Sequence, residues 1–266
     1  MTIGFIGTGK MADAVLAGVL NAGLVEPWQV TACEKVAERR REIQKLRKIV
    51  FVETAAEVVK HAQVVVLAVK PQDLDGVLAE IGPAVKASNL IVSIAAGKTT
   101  GYLQKKLGPK VRIARVMPNL PLTVGLGMSA FCLGKAAKAS DRATVRKLLA
   151  CAGETAELPE KQFDAVTALS GSGPAFFTYV LRELAKASVK AGLDRKAAPL
   201  LAIQTMLGTA MVLLETGISP EDFITAVASP KGTTEAGLNV LEASDIADVL
   251  ARTIQAAADR SKELRG

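Results

Sequence analysis

The sequence predicts an α/β fold in which a sheet domain, residues 1–159, is followed by an all-helical domain, residues 160–266. Three observations lead to this fold class. In the first part, short apolar and β-branched runs alternate with helical stretches, which is typical of a doubly wound sheet. Several runs, such as Val64–Leu67, are continuously apolar, as parallel strands covered on both faces are. After about Glu160 no strand-like run remains, and Ala- and Leu-rich stretches have helical spacing.

A Gly-rich turn follows the first predicted strand, Thr2–Ile6. Gly7 and Gly9 let the backbone approach a ligand closely, and Ala12 stands where a helix packs hard against the strand. The first amides and the dipole of that helix favour a pyrophosphate. Glu34 lies 22 residues beyond Ala12, the usual position of the acid that binds the adenosine ribose. The pattern predicts a Rossmann-like dinucleotide-binding domain; the alternative is an ordinary strand-to-helix turn.

The rest of this domain keeps the alternation. The remaining predicted strands are Gln29–Cys33, Ile49–Val52, Val64–Ala68, Leu90–Ala95, Val111–Val116, Met128–Leu133 and Thr155–Leu158. The predicted helices between them include Lys35–Lys48, Gln72–Ile81 and Asp141–Ala150.

Ligands of such a sheet bind beyond the carboxyl ends of its strands. That rule selects four loops: Gly7–Met11, Ala68–Pro71, Ile94–Gly97 and Met117–Asn119. The small side chains of Ala95 and Ala96 leave room for a flat ring against the backbone. Each loop alone is consistent with a turn that ends a strand, but together they predict a nicotinamide pocket.

The second domain consists of helices alone. They are predicted over Gln162–Leu169, Pro174–Ala191, Arg195–Thr216, Pro220–Val227, Gly232–Ala243 and Asp245–Leu264. Pro174 suits a first helical turn, and Gly192 and Gly217 suit helix ends. Because large side chains are few, we expect these helices to bury their surface against a second copy of the chain.

Two segments of this domain interrupt the helical pattern. Leu169–Phe176 is rich in small residues that permit close backbone contact. Ser229–Thr234 precedes a helix, and its amides and hydroxyls at the helix N-terminus would form a carboxylate receptor. The alternative for the second segment is ordinary helix capping by Ser229 or Thr233.

Composition excludes several classes of function. Lys and Arg number 33 against 26 Asp and Glu, and aromatic residues make up 4%. The basic residues are scattered, so an anionic cofactor and substrate explain them, and we expect no nucleic acid partner. His61 is the only histidine, and Cys33, Cys132 and Cys151 lack metal-ligand spacing, so we expect no metal site and no Ser-His-Asp triad. No apolar run looks long enough to span a bilayer, and no secretory signal precedes the first strand, which predicts a cytoplasmic protein without a membrane partner.

The chain resembles the pyrroline-5-carboxylate reductase family essentially from end to end. The matching segments are Gly4–Ala12, Leu67–Pro71, Ser93–Gly97, Arg115–Asn119, Ala168–Phe176 and Ser229–Thr234 with Leu238 and Leu241-Glu242. The first segment is shared by many enzymes, whereas the last two are specific to the family.

The resemblance implies reduction of 1-pyrroline-5-carboxylate to L-proline by hydride transfer from NADPH or NADH. It implies a Rossmann domain followed by a helical domain that interlocks with a partner in a homodimer or a larger oligomer, with the substrate pocket near that interface. The substrate residues implied are Ser229, Lys231, Gly232, Thr233 and Thr234. Thr234, which would hydrogen-bond the ring nitrogen, is the predicted catalytic residue.

The cofactor site is implied in the same way. Its residues are Ile6, Gly7, Thr8, Gly9, Lys10, Met11, Glu34, Ala68, Val69, Lys70, Pro71, Ile94, Ala95, Ala96 and Asn119.

Two positions depart from the family. Lys231 replaces the first of two glycines, and either binds the substrate carboxylate or points to solvent. Glu34 stands where NADPH-preferring relatives have a small hydroxyl residue. A carboxylate there accepts bonds from a ribose and repels a 2′-phosphate, which favours NADH unless Lys35 or Arg39 offsets the charge.

Two other functions compete with this one. A β-hydroxyacid dehydrogenase has the same two-domain plan, but its catalytic lysine and asparagine are missing here, because the corresponding helix has no lysine before Lys186. A regulatory protein that senses NAD(P) without turnover would have the same Gly-rich turn, and only an assay distinguishes it.

Overall fold

The computed structural model describes residues 1–265. The chain forms two compact units, and the first of them contains residues 1–172 together with the C-terminal residues from Ala257 onward. The second unit is Gly173–Ala256. The domain boundary after residue 159 stays a prediction.

The first unit is built on an eight-stranded sheet. Its strands are β1 (Ile3–Ile6), β2 (Val30–Cys33), β3 (Val50–Phe51), β4 (Val64–Leu67), β5 (Leu90–Ser93), β6 (Arg112–Met117), β7 (Gly127–Leu133) and β8 (Gly153–Glu157). They lie in the order β3-β2-β1-β4-β5-β6-β7-β8. The pairs from β3 to β6 are parallel, so the carboxyl ends of β1, β2, β4 and β5 meet at one edge.

The parallel sheet that the apolar runs predict needs one correction. Strand β7 pairs with β6 in the antiparallel direction, with Arg115 opposite Cys132, and β8 then runs parallel to β7. Strand direction is invisible in the apolar pattern, because parallel and antiparallel strands in a two-sided core bury the same residues.

Helices and short 3₁₀ turns connect the strands. The helices of the first unit are α1 (Lys10–Asn21), α2 (Ala37–Arg47), α3 (Ala55–His61), α4 (Leu74–Ile81), α5 (Thr100–Leu107), α6 (Ala139–Ala150) and α7 (Phe163–Val166), the last continuing into a π-helical turn, Thr167–Gly171. The predicted helices over 35–48, 72–81 and 141–150 match α2, α4 and α6 to within a few residues, and the predicted helix over 162–169 matches α7 and the π-helical turn.

Hydrophobic side chains pack on both faces of the sheet. One cluster contains Phe5 with Leu16 of α1 and Leu148 of α6, and the other contains Leu67 with Leu78 of α4. Strands β1 and β4 are buried at every position, which is why their sequences are continuously apolar.

The second unit is helical. It contains α8 (Gly173–Lys190), α9 (Ala197–Thr216), α10 (Pro220–Val227) and α11 (Thr233–Glu242), and α12 (Ile246–Glu263) begins in it. Exposed apolar side chains are frequent on these helices, for example Leu200, Leu207 and Leu214 of α9.

The expectation that no apolar run is long enough to span a bilayer was wrong. Helix α9 has 20 residues and is apolar enough to cross a membrane by length and composition. Its polar residues before Glu215, such as Gln204 and Thr209, are all uncharged, so the helix has a long charge-free run that polar residues interrupt. A single helix of this kind is weak evidence for a membrane protein.

Candidate active site

The Gly-rich turn lies where the carboxyl ends of three neighbouring strands meet. The Gly7 amide donates to the Cys33 carbonyl at 2.9 Å, and the Ala68 amide donates to the Ile6 carbonyl at 2.9 Å. Gly7 has a φ of +86°, and a β-carbon added to it would lie 2.8 Å from the Ala68 carbonyl oxygen. The turn therefore requires glycine for its backbone angle and its close approach to β4.

The second glycine of the turn faces open space. A β-carbon added to Gly9 would meet no atom within 4 Å. Gly9 is the N-cap of α1, and no side chain in the described part of the molecule caps that end. The first amides of α1, at Lys10 and Met11, are thus available beside an empty space, and an anionic pyrophosphate fits this arrangement.

Glu34, at the end of β2, is hydrogen-bonded to this turn. Its Oε2 atom accepts from the Thr8 amide at 2.7 Å and from the Thr8 hydroxyl at 3.0 Å, and its Oε1 atom accepts from the Val36 amide at 3.0 Å. Burial raises the pKa of Glu34, but these hydrogen bonds outweigh it and hold the pKa below its ordinary value. The carboxyl group is therefore charged at neutral pH.

Arg39, the residue expected to offset that charge, is already engaged. Its Nε atom donates to the Thr8 carbonyl at 2.7 Å, and its guanidinium pairs with Asp13 at 3.2 Å and with Glu42 at 2.8 Å. Lys35, the other candidate, has an exposed side chain. Neither cation pairs with Glu34 among the contacts of residues 1–265.

A cleft of about 650 Å³ lies along this edge of the sheet. Many of the predicted cofactor residues line it, namely Ile6, Gly7, Gly9, Glu34, Ala68, Val69 and Lys70. The structure adds residues that the sequence reasoning missed, at the start of α3, where Thr54 and Ala55 face Glu80 of α4. Glu80 accepts from the Ala55 amide at 2.7 Å. The sequence could have predicted the start of α3, because Thr54 and Glu57 form the Thr-x-x-Glu capping box.

Two further predicted loops follow β4 and β5 at the same edge. Pro71 begins a 3₁₀ turn directly after Lys70. The loop after β5 is joined to β4 by the Ile94 amide, which donates to the Leu67 carbonyl at 3.0 Å. In this loop Ala96 is exposed and the next residue, Gly97, is buried. That this loop receives the flat nicotinamide ring stays a prediction.

Asn119, which follows β6, connects the sheet to the small-residue segment. Its Oδ1 atom accepts from the Met128 amide at 2.8 Å, and its Nδ2 atom donates to the Ser170 hydroxyl at 3.4 Å. Ser170 belongs to the π-helical turn, and a β-carbon on Gly171 would lie 2.5 Å from the Met117 side chain. The glycine is required for this close packing, and π-turns are frequent at functional sites.

A partly buried polar network supports the loop after β5 from behind. Glu160 accepts from the Thr100 amide at 2.7 Å, from the Thr100 hydroxyl at 2.8 Å and from Arg115 at 3.3 Å. Arg115 is only 3% exposed and lies over the Phe163 ring, 4.6 Å from its centre. The sequence reasoning assigned no role to Glu160, because nothing local joins residues so far apart in the chain.

The predicted substrate loop lies in the second unit. Within it, Gly232 is the N-cap of α11, and neither Ser229 nor Thr233 caps this helix among the described contacts, so the capping alternative was wrong. Instead the Glu235 carboxylate accepts from the Lys231 amide at 2.7 Å, and the Gly232 amide donates to the Ser229 carbonyl. The amides of Thr233 and Thr234 lie in the first turn of α11, where helices leave donors unpaired.

Backbone angles in the same loop bear on the lysine at position 231. Lys231 has a φ of +58°, in the left-handed region that glycine prefers, so the glycine implied here by the family resemblance would suit this backbone. A β-carbon on Gly232 would lie 2.5 Å from the Ser229 hydroxyl oxygen, so the second glycine is needed for space. Within residues 1–265, no cluster of three or more His, Cys, Asp and Glu side chains is arranged to hold a metal ion.

Two family models match parts of this chain. A family model described as pyrroline-5-carboxylate reductase dimerisation matches residues 160–264. A model described as NADP oxidoreductase, coenzyme F420-dependent, matches residues 2–97, which contain the Gly-rich turn and Glu34.

Curated relatives cover nearly the whole chain. Pyrroline-5-carboxylate reductase of Methanosarcina acetivorans is 38% identical over 98% of this chain and 97% of its own length. The Arabidopsis thaliana enzyme of the same name is 39% identical over 98% and 95%.

Solved structures give the same result. A pyrroline-5-carboxylate reductase from Coxiella burnetii superposes with a TM-score of 0.95 at 30% identity, covering 100% of this chain and 98% of its own. The Plasmodium falciparum pyrroline carboxylate reductase with NADP bound has a TM-score of 0.87 at 29% identity, with the same coverage.

Proposed function

The chain belongs to the pyrroline-5-carboxylate reductase family, and we propose that its carboxyl-edge cleft holds the nicotinamide cofactor while the Ser229–Thr234 loop holds the substrate. The enzyme is an oxidoreductase of proline biosynthesis that reduces the C=N bond of 1-pyrroline-5-carboxylate. The relatives identify the reaction; which residues of this chain perform it is our proposal.

The observation that carries the cofactor assignment is the geometry of the Gly-rich turn. Gly7 needs a positive φ to pass close to β4, Gly9 faces open space, and α1 begins there with uncapped amides. In the proposal, Gly7–Met11 bind the pyrophosphate, Glu34 binds the adenosine ribose, and Ala68–Pro71, Ile94–Ala96 and Asn119 line the nicotinamide half. The bound cofactor supplies the hydride for the imine carbon.

The substrate assignment rests on the start of α11. The Thr233 and Thr234 amides, together with the positive dipole end of a ten-residue helix, suit the carboxylate of an imino acid. Glu235 holds the Lys231 amide and so fixes the loop backbone. The Thr234 hydroxyl orients the ring nitrogen and holds its proton. An imine that arrives protonated needs no strong acid, so the residues act mainly by positioning.

We infer that NADH is preferred over NADPH. The Glu34 carboxyl stays charged at neutral pH, because its pKa is lowered by hydrogen bonds that outweigh burial. Arg39 is engaged by Thr8, Asp13 and Glu42, which leaves little of its charge to attract a 2′-phosphate.

We also propose that the enzyme works in the cytoplasm as a homodimer or a larger assembly of dimers. The match to a dimerisation domain supports a homo-oligomer, and a partner subunit is the expected cover for the exposed apolar residues of α9. Burial against a partner subunit would also explain why an apolar helix of this length occurs in a protein that is not inserted in a membrane. No nucleic acid partner is expected.

An assay of purified enzyme tests these proposals together. Oxidation of NADH and of NADPH is followed separately with 1-pyrroline-5-carboxylate, and L-proline is identified as the product. We expect turnover with both cofactors and a higher kcat/KM for NADH. A higher kcat/KM for NADPH would overturn the cofactor inference, and binding of either dinucleotide without turnover would indicate a sensor.

A further inference from the structure

The C-terminal residues lie directly behind the loop after β5. A β-carbon added to Gly97 would be 2.9 Å from the Leu264 carbonyl oxygen, so the backbone of Leu264 covers Gly97 with no space for a side chain between them. Gly97 has a φ of +79° and is buried, whereas its neighbour Ala96 is exposed. The buried side of the loop is thus in close contact with the backbone around Leu264.

These last residues are themselves fixed at one buried carboxylate. Asp164 of α7 is 6% exposed, and its Oδ1 atom accepts from the Ser261 hydroxyl at 2.9 Å. Its Oδ2 atom pairs with Arg265 at 2.8 Å. Both oxygens of Asp164 therefore hold this end of the chain. Ser261 and Arg265, together with Leu264 against Gly97, form what we call the C-terminal clamp.

The far end of the same loop has a separate support. Glu160 accepts from the amide and the hydroxyl of Thr100, at the start of α5. The loop is consequently fixed at its start by Leu67, in its middle by the clamp and at its end by Glu160. Removing the clamp would loosen the backbone around Gly97 and leave both ends of the loop in place.

We propose that the C-terminal clamp is a positioning element for the nicotinamide half of the cofactor site, with Ser261, Arg265 and Asp164 as positioning residues. The inference rests on the proposed placement of the cofactor along Ile94–Ala96. A small displacement of this loop would misalign the nicotinamide and the imine carbon. Such a misalignment lowers kcat strongly, even when the affinity for the cofactor changes little.

The experiment compares the whole chain with a variant that ends at Glu263 and with Ser261→Ala. Arg265→Lys keeps the positive charge opposite Asp164, and Lys262→Ala is the matched control. Lys262 lies on the same helical turn, is about half exposed and pairs with Asp259. Three quantities are measured: dinucleotide affinity by calorimetry, kcat per dinucleotide-binding site, and hydrogen–deuterium exchange of the loop in the ligand-free protein.

We expect the shortened chain to exchange the Ala95–Lys98 amides about tenfold faster and to lose about tenfold in kcat per binding site. Its affinity for the dinucleotide should change by less than about threefold, because the turn and Glu34 hold the adenosine half. Ser261→Ala should shift the same quantities in the same direction by less, Arg265→Lys should stay close to the whole chain, and Lys262→Ala should match it.

Unchanged loop exchange together with unchanged kcat per binding site would overturn the proposal. So would a fall in activity that merely follows the fraction of folded, dinucleotide-binding protein. A wild-type enzyme without turnover would instead refute the proposed function, and the exchange experiment would still report on the clamp.

Discussion

At the residue scale, Thr234 is the proposed catalytic group. Replacing it with alanine removes the hydroxyl that orients the ring nitrogen, and we expect kcat to fall about 100-fold, within the usual range for a proton-handling group. Dinucleotide affinity, measured by calorimetry, should stay unchanged. Thr234→Ser keeps the hydroxyl and should recover most of the rate. Turnover in Thr234→Ala equal to that of the wild type would remove this residue from the mechanism.

The charge of Glu34 should control the preference between NADH and NADPH. Glu34→Ser removes the negative charge beside the ribose, so kcat/KM for NADPH should rise about tenfold and kcat/KM for NADH should fall. Glu38→Ser, which removes an exposed charge in the first turn of α2, is the matched control and should leave the ratio unchanged. Steady-state kinetics with each cofactor at a fixed substrate concentration measure the ratio. An unaltered cofactor ratio in Glu34→Ser would contradict the role assigned to its charge.

Single residues also show what sequence patterns cannot reveal. The position of Glu34 followed from its spacing after the Gly-rich turn, but its bonds to Thr8 did not. Those bonds form because the Gly7 amide donates to the Cys33 carbonyl and so brings Thr8 beside the end of β2. No sequence pattern shows this contact, since the residues are far apart in the chain. Asp164 and Ser261 are equally hidden, since they meet only after folding and no local motif contains both.

At the element scale, all eight strands were predicted, most of them from a short apolar run bounded by turn residues. Strand β4 is the clearest case, since the predicted Val64–Ala68 differs from the observed Val64–Leu67 by one residue. The direction of β7 could not be predicted, because a period of two is the same for both directions. The π-helical turn was visible only as an interruption of helical spacing by Ser and Gly.

The loop before α11 contains a strained residue whose replacement should stabilise the protein. Lys231 occupies left-handed backbone with a φ of +58°, and Lys231→Gly should raise the free energy of unfolding by about 1 kcal/mol by relieving that strain. Lys231→Ala removes the charge but keeps the β-carbon, and it should give no such gain. Chemical unfolding curves for the two variants separate strain from charge.

The kinetics of the same pair address the role of the lysine side chain. A similar rise in the KM for 1-pyrroline-5-carboxylate in both variants would indicate that the ammonium group attracts the substrate carboxylate. An unchanged KM in both would indicate a side chain that points to solvent. A stability gain in Lys231→Ala as large as that in Lys231→Gly would show that the strain is unimportant.

At the scale of the whole molecule, the helical unit exposes apolar residues that a partner subunit would bury. Leu207 lies near the middle of α9 and is 44% exposed. Leu207→Glu places a charge in that surface, and we expect it to shift the enzyme toward monomers of 27.8 kDa in light scattering. Leu46→Glu, at an exposed leucine of α2, is the control and should keep the wild-type mass. A Leu207→Glu variant with the wild-type mass would place the interface elsewhere.

The sequence identified the two kinds of domain and the family, since the Gly-rich turn and the Ser229–Thr234 loop are local patterns. It could not show how the end of the chain is used. Helical spacing predicted a helix over residues 245–264, close to the observed Ile246–Glu263, but nothing in that spacing indicated that its end supports a loop after the fifth strand.

The contact between Gly97 and Leu264 has a consequence for synthesis of the protein. The Gly-rich turn and Glu34 depend on β1, β2 and β4, which are all translated early. The loop at Gly97 gains its backing only after Leu264 has been translated and has left the ribosome. Partly synthesised chains are therefore expected to form the adenosine half of the dinucleotide site before they can align the reactive ring.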